Sequence, residues 1–467
     1  MKRTRREFIQ SGAAATAGAF ILPRFSIGQE VGGQKLNTAV IGIGHMGMDA
    51  VNHSSRENLV ALCDVDWSEG DSKDWKKMTP TQVAEKHPDA RKFTDFREML
   101  DVMGDKIDTV CIATPDHTHF PAAMAAMERG KHVFVQKPLA HNIWQTRTLQ
   151  KAMHEYGVQT NMGNQGHTFE GIRLIVEWVQ AGVLGDVEEV HCWTDRPNLP
   201  WFVKPTEIPA PGVAIPDGLN WDLWQGSVPA REYSPEYMPT RWRGWWDYGC
   251  GSLGDIGCHT LDAAFWALEL GLPTAVDVEL MEPVNDQYTV FNAHVIYHFP
   301  ARGNKPPVKL HWYEGQYRPP LLKGMSELPG NGMYMVGSEE TLFAEGMRPE
   351  SPMLWPRGNM AKYKDVLKLR PIPRIKGGPI QELFRAIKGG PVAGSNFDYA
   401  APLTEVVLLG AMAIRTGQRI EWDVEKMKVT NHRDFDRYIK EPVRDGWSYG
   451  EDLWKTSWLD KLINLFS

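Results

Sequence analysis

The sequence lacks a disulfide framework. Its five cysteines, Cys63, Cys111, Cys192, Cys250 and Cys258, are an odd number scattered through strand-like runs and one loop, unlike the paired set of a small secreted scaffold. Long apolar runs are also missing: residues 12–22 and the later "VVLLGAMAI" fall short of the ~20 residues that cross a hydrocarbon core, so no membrane span is expected. Positive charge is not in excess. A formal net charge of −7 offers no electrostatic footprint for nucleic acid, and no nucleic-acid partner is expected. There is no internal repeat and no low-complexity tract, which excludes a solenoid. What is present is ordinary in bulk, 42% hydrophobic and 23% charged over 467 residues, and fits a soluble chain with two cores. The unusual counts are 18 Trp and 32 Pro, and they cluster.

The first residues, "MKRTRREFIQSGAAATAGAFILPRFSIGQE", combine a basic start with a short apolar run, the pattern of an export signal over residues 1–28. Arg5-Arg6, followed by Phe8 and Ile9, resembles the twin-arginine signal, which exports folded proteins to the periplasm or beyond. Ser26-Ile27-Gly28 is the nearest small-x-small cleavage site, and an uncleaved anchor is the alternative. Folding in the cytoplasm before export accounts for cysteines without a disulfide pattern.

From residue 35 the chain reads strand, turn, helix, strand. "LNTAVIGIGHMG" ends in Gly42, Gly44, His45, Met46 and Gly47, a G-x-G-x-x-G turn, and "LVALCDVD" returns to Asp64 at the end of the next strand. Glycines there allow a pyrophosphate to approach a helix N-terminus, and an acid at the second strand end suits adenosine ribose hydroxyls while repelling a 2′-phosphate. The expected cofactor is NAD rather than NADP. Two further strands, "DTVCIATP" and "HVFVQKP", flank a helical "FPAAMAAMERG", giving a doubly wound parallel sheet over residues 35–160. Ligands of such sheets lie at the strand carboxyl ends, so Thr114, Pro115, His119, Gln136, Lys137 and Pro138 are expected around one crevice. Lys137 at the rim of an apolar wall would be partly desolvated, which suits proton transfer; a solvated lysine is the bland alternative.

The chain here resembles the Gfo/Idh/MocA family of nicotinamide-dependent sugar and inositol oxidoreductases, whose Glu-Lys-Pro motif stands as Gln136-Lys137-Pro138. The likeness continues through "MGNQGH", "GDIGCHTLD" and "PLTEVVLLGAMAIRTGQRIEWD". It implies a second domain, residues 161–425, built on a large open sheet that carries the substrate side and often makes the contact of a homo-oligomer, a dimer or tetramer. Runs such as "YTVFNAHVIYHF" and "PVKLHWYEG" independently suggest an α+β domain with a mostly antiparallel sheet. A final helix over 399–416, ended by Gly417, reads as a core helix, and 426–467 as a tail.

Residues 196–248 form a proline-rich insertion holding Trp201, Trp221, Trp224, Trp242, Trp245 and Trp246. Some of these indoles, with Trp245 and Trp246 as the chosen pair, would stack on sugar rings, and Arg241 or Arg243 would hold hydroxyls or a carboxylate; packing of the loop is the alternative. Downstream, "GCGSLGDIGCHTLD" reads as a helix presenting Asp255, His259 and Asp262 on one face. That pattern admits a metal site with Cys250 and Cys258, proton chemistry, or simple packing; the cysteine spacing argues against metal. The resemblance implies that Asp255 and His259 are the family's Asp-x-x-x-His pair, working with Lys137: lysine and histidine exchange the hydroxyl proton while Asp255 holds a hydroxyl or orients the imidazole. Asn164, Gln165 and His167 either position nicotinamide and sugar or bond their own loop. The expected function is an exported NAD-dependent oxidoreductase acting on a small-molecule carbohydrate, a sugar, polyol or glycoside, with tightly held cofactor. The alternative is an NAD-dependent glycosidase working by transient oxidation, elimination, hydration and re-reduction, although the Tyr-Pro-Thr-His motif of one such subgroup is absent.

Overall fold

The apolar runs of the first third become short parallel strands with connecting helices packed on both sides. A computed structural model describes residues 34–68 and 78–455; the expected export signal, residues 1–28, lies outside them. In chain order the elements are β1 (Asn37–Ile41), α1 (Gly47–Ser54), β2 (Asn58–Cys63), α2 (Pro80–Glu85), β3 (Arg91–Phe93), α3 (Phe96–Met103), β4 (Thr109–Ile112), α4 (Asp116–Met127), β5 (His132–Val135), α5 (Ile143–Tyr156) and β6 (Thr160–Met162). All strands pair in parallel in the order β3-β2-β1-β4-β5-β6. The order reverses between β1 and β4, and it is outside the carboxyl ends at such a switch point that a ligand crevice opens.

The second half is one large sheet covered by helices on one face. It comprises α6 (Glu170–Gln180), β7 (Val187–Thr194), α7 (Trp221–Gln225), α8 (Gly251–Thr260), α9 (Asp262–Leu268), β8 (Ala275–Leu280), β9 (Ala293–Phe299), β10 (Val308–Glu314), β11 (Gly332–Gly337), β12 (Thr341–Glu345), β13 (Ser351–Trp355), α10 (Pro379–Ile387), α11 (Phe397–Thr416), β14 (Ile420–Asp423) and β15 (Lys428–Val429). The nine strands run β13-β12-β11-β7-β10-β9-β8-β14-β15, antiparallel except for β7 beside β10. Alternation sorts the faces: Leu310 and Trp312 of β10 join the core, while Lys309 and His311 point away from it.

Two segments cross back to the nucleotide-binding half. Helix α10 places Ile380, Leu383 and Phe384 under the parallel sheet against Val40, Leu62 and Phe134. Helix α11 packs on α5 and ends at Gly417 in the left-handed region, φ +64°. It is apolar and long enough for a membrane by composition, yet 83% of it is buried, so it is the core helix expected. Residues 426–455, the described part of the expected tail, pack on the fold. β15 extends the sheet, Trp447 meets Phe96 edge-on at 6.0 Å, and Trp454 stacks on Trp144 at 6.2 Å. Their aromatic side chains supply the apolar area that anchors a segment with little regular structure.

Candidate active site

The glycine turn is dictated by backbone space. Gly42 has φ +77°, and a Cβ there would come within 2.8 Å of Ala113 O; a Cβ on Gly47 would collide with the Gly42 carbonyl. Gly44 has room, with only Pro80 at ordinary distance, so its lack of a side chain serves open approach from the cleft. Asp64 ties the turn to the end of β2, accepting Ile43 N–H at 2.8 Å through Oδ2 and Asp66 N–H at 3.1 Å through Oδ1. Burial lifts its carboxyl to about 6 against those backbone donors.

A cleft of about 280 Å³ runs from this turn to the second domain. Its walls include Gly42, Gly44, His45, Met46, Asp64, Thr114, Pro115, Gln136, Lys137, Gln165, Asp255 and His259, so these expected residues do converge. Thr114 Oγ1 and Gln136 Nε2 are buried without a hydrogen-bond partner, as atoms awaiting a polar ligand would be. Those orphans, the backbone space at the glycines and the acid closing β2 fit a dinucleotide.

His119 behaves otherwise. It is absent from the cleft wall, and its ring nitrogens lie 2.8 Å from Pro138 O and 2.9 Å from Thr114 O, which makes it a strut between two cleft loops. Burial pushes it down to about 4. Asn164 is likewise off the wall; its Oδ1 lies 3.0 Å from His259 Nδ1, and its buried Nδ2 has no partner.

The Lys137 environment is ionic rather than apolar. Nζ donates to Asp255 O at 2.7 Å and to Asp255 Oδ1 at 2.8 Å, while Arg196 Nε donates to Oδ2 at 2.8 Å and Arg243 Nε to Oδ1 at 3.3 Å. Burial alone would raise Asp255, but Lys137, Arg243 and Arg196 outweigh it and hold the carboxyl well below its usual range. His259, one turn on along α8, is held well below the usual imidazole range by burial first, then by Arg348 and Lys137. Arg348 Nη2 lies 3.4 Å from His259 Nε2 and donates to Gln165 Oε1 at 3.3 Å. Asp116, at the start of α4, is a buried carboxyl on the same wall, lifted to about 6 by burial against the pull of Lys137 and Arg243.

Several expected side chains turn away. The helix carrying Asp255 breaks at Leu261, so Asp262 opens α9 and faces a separate buried cluster: His167 Nδ1 lies 3.0 Å from its Oδ1, and the Tyr399 hydroxyl donates to it at 2.6 Å. His167 thereby leaves the cleft, stacked on Trp266 at 4.4 Å. Trp245 lies in an aromatic cluster with Tyr237 and Tyr288, its Nε1 donating to Glu236 O at 3.1 Å. Trp246 lines a second, smaller cavity with His141 and Glu441. Arg241 is off the wall. The aromatic and cationic residues that do face the cleft from the insertion are Arg196, Trp201, Trp224, Trp242 and Arg243. Arg196, Arg348 and Asp116 carried no local signal beyond lying just past strand ends.

Residues 36–164 match the model of an oxidoreductase family described as an NAD-binding Rossmann fold, and residues 175–303 match that of the oxidoreductase family's C-terminal alpha/beta domain. Levoglucosan dehydrogenase of Pseudarthrobacter phenanthrenivorans is 25% identical over 198 residues, 39% of this chain and 40% of that protein. Alpha-N-acetylgalactosaminidase of Shewanella oneidensis is 31% identical over 211 residues, 39% of this chain and 44% of that protein. The chain thus spans less than half the length of these curated relatives. The WlbA dehydrogenase from Bordetella pertussis, solved in complex with NADH and UDP-GlcNAcA, superposes with a TM-score of 0.56 at 17% identity, covering 84% of this chain and 100% of that one, which shows a shared fold.

Proposed function

The chain belongs to the Gfo/Idh/MocA oxidoreductase family, and from that premise we propose that it exchanges hydride between NAD and a CH–OH carbon of a carbohydrate, with Lys137 and His259 handling the hydroxyl. The placement of Lys137 carries this proposal. Two of its N–H groups are spent on Asp255, at 2.7 and 2.8 Å, which fixes Nζ beyond the carboxyl end of β5 with one donor left for a ligand in the cleft. Gly42, Gly44, Gly47 and Asp64 would hold NAD by its pyrophosphate and adenosine ribose; when bound, it supplies the carbon that accepts hydride.

The protein side chains divide the remaining work. With Asn164 Oδ1 accepting from Nδ1–H, His259 Nε2 carries the lone pair, which Arg348 Nη2 approaches at 3.4 Å; burial keeps the ring neutral, and this lone pair would receive the hydroxyl proton. The free Lys137 N–H bonds the same oxygen and stabilises negative charge as the proton leaves. Asp255 keeps the ammonium in place. Purified protein should retain NAD through long dialysis and gain reduced-nicotinamide absorbance with a carbohydrate; rapid cofactor loss and no spectral change with any sugar would sink the proposal.

A redox-neutral glycosidase cycle is the second reading, favoured by the 31% identity to an alpha-N-acetylgalactosaminidase. Transient oxidation acidifies the neighbouring C–H, the glycosidic oxygen is eliminated, water adds and the ketone is reduced again, so no external oxidant is consumed. Release of nitrophenol from a panel of nitrophenyl glycosides, abolished by borohydride pretreatment, would select it. Export of the folded holoprotein through Arg5-Arg6 belongs to the same proposal, as does a homo-oligomer. Replacing both arginines by lysine should leave the protein in the cytoplasm.

A further inference from the structure

We propose that the carbohydrate is anionic and that its charged group docks on Arg348, between the guanidinium groups of the second domain and His259. This rests on the hydride-transfer reading of the same cleft. Within the substrate end, Lys137, Arg196 and Arg243 share the Asp255 carboxylate, whereas Arg348 makes no ion pair among the described residues. Its contacts are neutral: Gln165 Oε1 at 3.3 Å, His259 Nε2 at 3.4 Å and the Met347 sulfur at 3.6 Å. Its Nε is buried and has no partner. A partly desolvated guanidinium with only neutral bonds is costly unless an anion completes it, and its fork matches a carboxylate or an ester oxyanion.

The surroundings favour a ligand anion over cofactor phosphate. The glycine-turn end of the cleft carries Asp64 and Asp66, while four cations, Lys137, Arg196, Arg243 and Arg348, stand at the other end against Asp255 and Asp116, with Glu350 acting on Arg348 from outside the cleft wall. His259 is held neutral there and adds no charge. Arg196 Cζ stands over the Trp201 ring at 4.1 Å and Arg243 Cζ over the Trp242 ring at 4.3 Å, so both guanidinium groups are braced before any ligand arrives. The NAD pyrophosphate belongs to the glycine turn, and the excess positive charge is left for the substrate.

The test uses holoprotein with a matched set: a methyl uronide, its neutral methyl glycoside and a sulfate ester of that glycoside, read by reduced-nicotinamide absorbance and by calorimetric binding. Wild type should prefer an anionic member by at least about tenfold in kcat/KM, with the preference shrinking as salt rises. Arg348→Met should bring that ratio close to one and Arg348→Lys should restore part of it, which a merely structural arginine would not do. Preference for the uronide identifies a carboxylate and preference for the ester a sulfate; both support the anion site. Equal kcat/KM for neutral and anionic members in wild type would overturn it while leaving hydride transfer intact. Tighter binding of the anionic member with no nicotinamide change would support the anion site and reject hydride transfer.

Discussion

The two walls of the cleft are made by opposite means. The cofactor wall is built on one turn of the backbone, with Gly42, Gly44, His45 and Met46 on the cleft, closed by Asp64 through hydrogen bonds to Ile43 and Asp66. The substrate wall is mostly side chain, with Arg196, Arg243, Asp255, His259 and Arg348 arriving from loops and a helix far apart in the chain. A backbone that must pass close to another leaves a residue-type signature, because glycine alone satisfies it. A set of charges can be met from many positions and leaves none.

The contrast is broken most directly by giving the cofactor wall a side chain. Gly47→Val should weaken NAD binding by at least about 100-fold, about 3 kcal/mol, because the new Cβ meets the Gly42 carbonyl; wild-type affinity in a nicotinamide fluorescence titration would show that backbone space is not what matters there. On the opposite wall His259→Ala should lower kcat by about 10²–10⁴-fold with NAD still retained after dialysis. Loss of chemistry without loss of cofactor is the signature that separates the walls. Asp255→Asn leaves Lys137, Arg196 and Arg243 without their shared carboxylate and should cost about 3–5 kcal/mol in urea unfolding.

A smaller effect follows from Asp116, whose carboxyl rises from 3.8 to about 6. Between those values the folded protein holds a proton that the unfolded chain has released, so stability falls as pH rises through the window. Asp116→Asn should flatten that fall by about 1–3 kcal/mol, seen as a weaker dependence of Tm on pH. The smallest change is expected from Trp245→Phe, which loses the bond to Glu236 O and about 0.5–1.5 kcal/mol of stability, with kcat/KM altered less than about twofold. A large kinetic effect would return this indole to the substrate wall.

The legibility of the site in the sequence follows the same division. The parallel sheet, the glycine turn, Asp64 and Lys137 were readable because strand period, turn chemistry and strand ends are local properties. Asp255 and His259 were readable as an i, i+4 pair, but Asp262 was not, because it opens the next helix, farther along the axis, and meets His167 and Tyr399 there. The indoles were counted correctly and assigned wrongly: Trp245 and Trp246 are covered by neighbours that no local pattern names, while Trp201, Trp224 and Trp242 line the cleft. His119 and Asn164 were drawn to the right loops but serve them as supports.

By itself, then, the sequence determined two sheets, a dinucleotide turn and a lysine beside it, since each is set by residues adjacent in the chain. Only the tertiary structure decided which charges share the lysine's cleft. Arg196, Arg243 and Arg348 meet Asp255 and His259 through packing of distant loops, and electrostatic surroundings of that kind depend on distance in space.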